Sequence, residues 1–224
     1  MGNVFRNLDW SVLSGVLFSI IPALLCITLH ELAHGYTAYK LGDNTAKDMG
    51  RLTLNPIKHI DIFGLLMMVV AGFGWAKPVP VNMSRFKNPK MHMAITALAG
   101  PVSNILLAVI VFFLYGLLFT PLGGATGSGA GGVALNMILR AATLSVALAI
   151  FNILPIPPLD GSKIVFSLLP EEAYYKLMRY ERFGMIILIL FVWSSLFDST
   201  VGRATFAVRD WFYGISRFAF DLVN

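Results

Sequence analysis

Charge is scarce in this chain, and cysteine is almost absent. Charged residues make up 13% of the 224 residues and hydrophobic residues 57%, whereas ordinary soluble domains carry about 25% charge. The mean hydropathy is +0.73. The single cysteine, Cys26, excludes an internal disulfide. These values argue against a soluble globular enzyme and indicate an integral membrane protein.

Acidic residues are fewer than basic ones, 12 against 17, and the net charge is +5. Most basic residues lie between apolar segments, where they set the orientation of a membrane protein, so we expect no nucleic-acid partner. A chain of this length has room for one membrane domain with short loops. We predict a single domain over residues 1–224, with its core over 10–162 and a C-terminal span and interfacial helix over 183–224.

Four apolar segments are long enough to be membrane spans. They cover residues 10–39, 91–119, 133–154 and 183–197. The third carries Arg140 near its start, and we expect this side chain to reach the interface. The tail mixes arginines with aromatic residues, which favours an amphipathic helix lying in the interface. We predict an all-α polytopic membrane protein with about four to six transmembrane helices.

A further apolar stretch, residues 60–75, is interrupted by glycines and flanked on both sides by basic residues. These are Lys40, Lys47, Arg51 and Lys58 before it, and Lys77, Arg85, Lys87 and Lys90 after it. By the positive-inside rule, both flanks face the cytoplasm. We therefore predict a re-entrant segment, for which a β-hairpin is one form, between the first and second long spans. An ordinary short span is the alternative.

The first span ends in the motif His30-Glu31-Leu32-Ala33-His34. Two histidines four residues apart lie on one face of a helix, with about 5–6 Å between their Cβ atoms. They can bind one zinc ion, with Glu31 beside it as a base. Ionisable side chains inside a span are costly and need a partner. We therefore favour a metal site over a buried hydrogen-bonded cluster.

A catalytic zinc site needs a third protein ligand. Asp160 is the candidate, because it follows the third span in the run Asn152-Ile-Leu-Pro155-Ile-Pro157-Pro158-Leu-Asp160-Gly161, whose prolines forbid regular helix. On the charge assignment, the first and third spans end at the same boundary, so the two motifs can meet. Weaker candidates lie in loops or at a span entrance: His59, His92, Asp43, Asp48 and Asp61.

The two motifs together resemble the site-2 protease family of intramembrane zinc metalloproteases. Segments 51–56, 77–82 and 99–104 are similar to its compact bacterial members, and the resemblance covers roughly residues 28–162. It implies one zinc ion per chain, held by His30, His34 and Asp160, with Glu31 as the general base. It also implies that Asn104 holds substrate or the oxyanion. No inserted PDZ-like domain and no nucleotide-sensing domain are visible in the sequence.

This resemblance implies hydrolysis of peptide bonds within or near transmembrane segments, either in regulated proteolysis or in the clearance of membrane peptides. An extended substrate could pair with the segment formed by Val79, Pro80, Val81 and Asn82, although a structural loop is the alternative. We expect Asn152, Pro155, Pro157 and Gly161 to support the site. The partners would be a substrate helix and the bilayer of a bacterial or archaeal cell, with the site opening to the cytoplasm. A metal transporter or sensor and a non-catalytic scaffold remain alternatives.

Overall fold

The computed structural model describes residues 10–71, 74–124 and 129–224, and every regular element in these ranges is helical. Two 3₁₀ turns (Pro56–His59 and Met83–Arg85) and a π turn (Asp198–Gly202) connect the α-helices. The α-helices are, in chain order, α1 (Trp10–Lys40), α2 (Thr45–Asp48), α3 (Ile62–Ala71), α4 (Pro89–Leu118), α5 (Ala130–Asn152), α6 (Asp160–Phe166), α7 (Glu171–Arg179), α8 (Glu181–Val192), α9 (Ser195–Phe197) and α10 (Arg203–Asp221).

Helices α1, α4 and α5 are each long and apolar enough to cross a membrane. From α8 onward, the helices are long and apolar enough to cross a membrane only when they are taken together as a pair. The two members of this pair are bent by 76° between Val192 and Ser195. The hydroxyl of Ser194 donates to the carbonyl of Phe191 at 2.6 Å and competes with the helical backbone there. The helix that we predicted as the fourth span therefore ends at Val192, and a fourth span is formed only if the chain on both sides of this bend crosses together. The all-α membrane fold is confirmed, with three to four spans in the described residues.

Small side chains bring the three long helices into contact. The thiol of Cys26 on α1 lies 3.1 Å from the hydroxyl of Ser145 on α5. Ala108 and Phe112 on α4 pack against Ala142 on α5 in the largest buried apolar cluster. Small residues are typical of helix contacts within membranes, because they let the backbones approach closely.

The C-terminal helix α10 packs lengthwise along α4. The rings of Phe112 and Phe212 lie 5.8 Å apart, and the Ser216 hydroxyl donates to the carbonyl of Phe112 at 2.9 Å. One turn further along α4, a Cβ atom at Gly116 would lie 2.1 Å from the Ser216 carbonyl oxygen. One face of the tail helix is therefore covered by protein, and its location at the membrane interface stays a prediction.

Arg140 lies in the middle of α5 and not near its start. The helix begins at Ala130, so ten residues, about 15 Å of helix, precede Arg140 and twelve follow it. The expected position near the start of the span is therefore wrong. The reason is that α5 includes the small residues after Gly129, which hydropathy alone assigned to a loop.

The two ends of the stretch over residues 60–75 lie on the same face of the molecule. The Lys77 N–H donates to the carbonyl of His59 at 2.9 Å, and the guanidinium of Arg85 lies 3.2 Å from the carboxylate of Asp48. Helix α3 has ten residues, about 15 Å of helix, which is half the thickness of a bilayer core. The two basic flanks lie together, as expected for a re-entrant segment.

The β-hairpin form of this segment is wrong for its described residues. Residues 62–71 form α3, and the Asp61 carboxylate accepts the Gly64 N–H at its N-terminus at 2.8 Å. The return chain is extended without pairing to another strand. The apolar residues here are continuous and do not alternate, which favours a helix over a half-buried strand. Residues 72–73 lie outside the described residues.

Candidate metal centre

Three buried ligand atoms converge where α1 meets the start of α6. The Nε2 atoms of His30 and His34 lie 2.9 Å apart, and they lie 3.2 Å and 3.1 Å from Oδ2 of Asp160. In the described residues this is the one group of metal-ligating side chains with its atoms within 4.8 Å of one another. The other candidate ligands, His59, His92, Asp43, Asp48 and Asp61, do not join it.

The triangle fits a zinc ion. Tetrahedral zinc with bonds of 2.0–2.1 Å separates its ligand atoms by about 3.3 Å, close to the observed distances. Oδ2 of Asp160 is buried, and apart from its contacts with the two Nε2 atoms it has no hydrogen-bond partner in the described part of the chain. A buried carboxylate oxygen in this state needs a positive charge beside it, which a metal ion would supply.

The other ring nitrogen of each histidine has a partner on α4. Nδ1 of His34 lies 2.7 Å from the carbonyl oxygen of Thr96. Nδ1 of His30 lies 3.1 Å from the side-chain amide of Asn104, whose oxygen has no partner among the described residues. A histidine that binds a metal through Nε2 carries its proton on Nδ1. The Thr96 carbonyl can accept the Nδ1 hydrogen of His34, and the Asn104 side chain can accept that of His30 if its amide is rotated so that the oxygen faces the ring. Asn104 is fully buried, which favours orienting His30 over contact with a substrate.

Gly100 lets both imidazoles lie against the backbone of α4. A Cβ atom at this position would lie 2.4 Å from Nε2 of His34 and 2.6 Å from Cε1 of His30. Sequence reasoning assigned no role to Gly100 or Thr96. The signal was a glycine inside an apolar helix, which often marks a close approach between helices.

The proline run after α5 presents Asp160 to the histidines. Helix α5 ends at Asn152, whose amide donates to the carbonyl of Leu148 at 2.9 Å. The Pro155–Pro158 stretch is non-helical, and Asp160 is the first residue of α6. A Cβ atom at Gly161 would lie 2.1 Å from the Ile153 carbonyl oxygen, so only glycine allows α6 to begin this close to the end of α5.

Glu31 contacts the extended segment that we expected to bind substrate. Its carboxylate accepts the backbone N–H of Val79 at 2.7 Å. Two further residues anchor the segment: Arg51 donates to the Lys77 and Pro78 carbonyls at 2.9 and 3.2 Å, and Asp43 accepts the Asn82 N–H at 2.6 Å. Since Pro80 has no N–H, Val81 keeps the one backbone donor of residues 79–82 that has no partner among the described residues.

Asp43 holds this segment as an anion. Burial raises the pKa of its carboxyl, but hydrogen bonds from the Thr45 side chain and from the Asn82 and Thr45 backbone outweigh that effect. The pKa therefore lies below its ordinary value. Arg51 and Asp43 are positioning residues whose roles the sequence did not indicate.

Two cavities meet at His30 and Glu31. One, of about 150 Å³, also contains His34, Asp160, Val79 and Lys163. The other, of about 270 Å³, is largely apolar and lies between α1, α3, α5 and α8. Its apolar lining includes Ile20, Ala23, Ile27, Leu148, Met185 and Leu188. The ligand group is therefore reached both from a polar cleft and from an apolar space inside the bundle.

Similarity to known proteins extends over most of the chain. A family model described as Peptidase family M50 matches residues 120–195, which include Asp160. "Putative zinc metalloprotease YwhC" of Bacillus subtilis is 46% identical over 177 residues, 78% of this chain and 80% of that protein. "Putative zinc metalloprotease Rip2" of Mycolicibacterium smegmatis is 28% identical over 216 residues, 94% of this chain and 78% of that protein. No solved structure matches the chain significantly.

An archaeal relative, "Putative zinc metalloprotease MJ0611" of Methanocaldococcus jannaschii, is 31% identical over 163 residues, 72% of this chain and 75% of that protein. These relatives share with this chain the class of enzyme, a zinc metallopeptidase, that the buried ligand group and apolar helices indicate. The extent and identity of the match to the Bacillus protein show that the chain belongs to peptidase family M50, the site-2 protease family that its paired motifs resemble.

Proposed function

We propose that this zinc metalloprotease hydrolyses peptide bonds within or near the transmembrane segments of membrane-protein substrates, in regulated proteolysis or in membrane-peptide clearance. One observation carries the proposal. The buried group of His30, His34 and Asp160 lies inside a bundle of apolar helices and opens onto an apolar cavity. Such a cavity suits the apolar side chains of a membrane segment, which would reach the ligand group from inside the bundle.

Each side chain at the site has a proposed role. His30, His34 and Asp160 hold one zinc ion, which when bound supplies Lewis-acid activation of water and of the scissile carbonyl. Glu31 takes the proton of the attacking water and passes it to the leaving amine. Asn104 and the Thr96 carbonyl orient the two imidazoles.

The run from Asn152 to Gly161 supports Asp160. Asn152 ends α5, Pro155 and Pro157 keep the chain out of a helix, and Gly161 admits the close approach of α6. We assign these four residues a positioning role, because their effect on the reaction passes through the carboxylate of Asp160.

The extended segment would guide the substrate past Glu31. Substrate must unwind locally, since helical carbonyls are shielded by their own hydrogen bonds. This segment, formed by Val79, Pro80, Val81 and Asn82, runs beside the base. The N–H of Val81, which has no partner in the described part of the chain, and the carbonyls of the segment can pair with an unwound chain. The apolar cavity then receives substrate side chains.

The proposed setting is the cell membrane of a bacterium or archaeon, with the site opening toward the cytoplasm. The basic flanks of the re-entrant segment lie on one face of the molecule, and the positive-inside rule assigns that face to the cytoplasm. We further propose that the chain is one domain, with its catalytic core over residues 10–162.

Zinc content and cleavage measured together test the proposed function. The full chain in detergent would be compared with Glu31→Gln and with a matched control, Glu172→Gln, on an exposed position of α7. We expect Glu31→Gln to keep zinc but to lose cleavage of a transmembrane test substrate by about a hundredfold or more, the usual contribution of a general base. The control should behave as wild type.

The alternatives give different results. A metal transporter or sensor would function without Glu31, and a scaffold would hold no stoichiometric zinc. Cleavage by Glu31→Gln within about tenfold of wild type would contradict the role of the base. Zinc-loaded wild type that cleaves soluble peptides but no membrane segment would contradict the proposed substrate.

A further inference from the structure

Arg140 lies on the face of α5 that leads to the metal centre. Residues spaced by four, four and three positions share one face of a helix. On α5 this spacing connects Arg140 with Leu144, Leu148 and Phe151, and on α1 it connects Ser19 with Ala23, Ile27 and His30. The inner members of both stripes, from Ala23 and Leu148 onward, line the apolar cavity. The outer members continue the same two helix faces beyond the cavity, and we call the surface formed by the two stripes the α1–α5 groove.

The groove ends at a contact between its two outermost residues. The guanidinium of Arg140 donates to the hydroxyl of Ser19. Eleven residues of α5, about 16 Å of helix, separate Arg140 from Phe151 at the inner end. A membrane segment that enters the groove would therefore touch Arg140 at one end while it reaches the metal ligands at the other.

The charge of Arg140 has no carboxylate partner in the described residues. The ion pairs found there involve other side chains. Arg140 is exposed at the middle of α5, where a charge is costly and usually marks a pathway or a binding site. Ser19 is neutral and uses one of the five N–H donors of the guanidinium, so a carboxylate can still bind with two parallel hydrogen bonds.

We propose that Arg140 binds a carboxylate side chain in the membrane segment of the substrate and thereby selects substrates. This rests on the proposed function, because the groove admits a membrane segment only if such segments are cleaved. The 16 Å between Arg140 and the inner end of the groove correspond to about five residues of extended chain or about eleven of helix. A substrate unwound near the metal and helical beyond it places its Asp or Glu between these limits.

A substrate series tests this directly on the wild-type enzyme. One transmembrane test substrate would carry a single Asp at successive positions five to eleven residues from the cleaved bond, and Asn or Lys at the same positions in matched forms. We expect at least one position at which kcat/KM is about tenfold higher for the Asp form than for the Asn form. The difference should appear in KM and not in kcat, because a charged hydrogen bond far from the cleaved peptide bond stabilises the ground state and the transition state alike.

Variants of the arginine give the reciprocal test. Arg140→Gln should abolish the preference for Asp, and Arg140→Glu should reverse it in favour of Lys at the same position. Arg203→Gln is the matched control, because it removes the same charge from the exposed start of α10, outside the groove. Zinc content and thermal unfolding of each variant would show that the fold is intact.

Equal kcat/KM for the Asp, Asn and Lys forms at every position would overturn the proposal while the proposed function stands. An effect of Arg140→Gln that depends on anionic lipid and not on the substrate carboxylate would assign the site to a lipid phosphate and overturn it as well. If the wild-type enzyme cleaves no member of the series but cleaves soluble peptides, both this proposal and the proposed function fail.

Discussion

Replacing Gly100 with alanine should weaken zinc binding without altering any proposed ligand. The added Cβ atom would lie 2.4 Å from Nε2 of His34 and 2.6 Å from Cε1 of His30. An ordinary contact begins at 3.4 Å, so both rings must withdraw from α4 by about 1 Å. Metal–ligand bonds tolerate only about 0.2 Å. The ligand triangle with Asp160 should therefore open.

The expected loss follows from that displacement. Disturbing the orientation of metal-binding histidines costs about 10–100-fold in metal affinity, and a misplacement of about 1 Å in an active site costs about a hundredfold in rate. We expect Gly100→Ala to bind zinc at least about tenfold more weakly and to cleave at about one hundredth of the wild-type rate with zinc in excess.

The measurement is zinc affinity by competition with a chelator, combined with cleavage of a transmembrane test substrate in detergent. Gly214→Ala is the matched control. It makes the same change inside helix α10, where an added Cβ atom meets nothing within 4 Å. This control should retain zinc and activity, and alanine there should stabilise the helix slightly.

Wild-type zinc affinity in Gly100→Ala, with cleavage within about threefold of wild type, would refute the argument. It would mean that α4 moves away from the histidines as a body and that the observed spacing does not constrain the site. Thermal unfolding of the variant separates this case from general destabilisation, since a folded variant with weak zinc binding supports the local argument.

Further predictions concern the support of the site, the orientation of the chain and the choice of substrate. Asn104→Ala should lower zinc affinity by about 10–100-fold, because Nδ1 of His30 loses its acceptor. The same chelator competition measures this, and unchanged affinity with slow cleavage would mean that Asn104 binds substrate instead. On a Cys26→Ala background, Lys47→Cys and Arg85→Cys should both be shielded from an impermeant reagent added outside; labelling on opposite sides would mean that residues 60–75 cross the membrane. A test substrate with a central helix-breaking residue should be cleaved faster than its uninterrupted form, because unwinding it costs less; equal rates would contradict control by unwinding. The stabilising effect of the Asp43 carboxylate should be present above about pH 4 and disappear as the pH falls through its lowered folded pKa. Asp43→Ala should therefore melt below wild type at neutral pH, and the gap should close in acid.

The sequence was sufficient wherever a property depends on one local stretch of chain. The spacing of His30 and His34 places them on one helix face whatever surrounds the helix. The prolines before Asp160 end a helix through their own geometry. The basic residues on both sides of residues 60–75 predict that both flanks face the cytoplasm, because the positive-inside rule needs only a count of charges along the sequence. The structure accordingly brings these three side chains together and returns the segment to the face that it left.

Sequence reasoning failed where hydropathy had to define a boundary or a partner. It began the third span at residue 133 and so placed Arg140 near the start of that span, whereas α5 begins at Ala130. It did not indicate that the tail helix α10 packs on α4 through Phe212 and Ser216. An amphipathic pattern shows that a helix has an apolar face, but does not show whether protein or lipid covers it.

The sequence by itself determined the class of protein, its long helices and the pairing of His30 and His34 on one helix face, because each follows from composition or from spacing along one element. It indicated Asp160 as the third ligand through the topology of two spans and the family resemblance. Only the tertiary structure decided that Gly100 makes room for the imidazoles, that Val79 binds Glu31 and that Arg140 ends the groove. These contacts join residues on different elements, from 48 to 121 positions apart in the pairs that bond. Their geometry depends on how the helices pack, which no local pattern in the chain records.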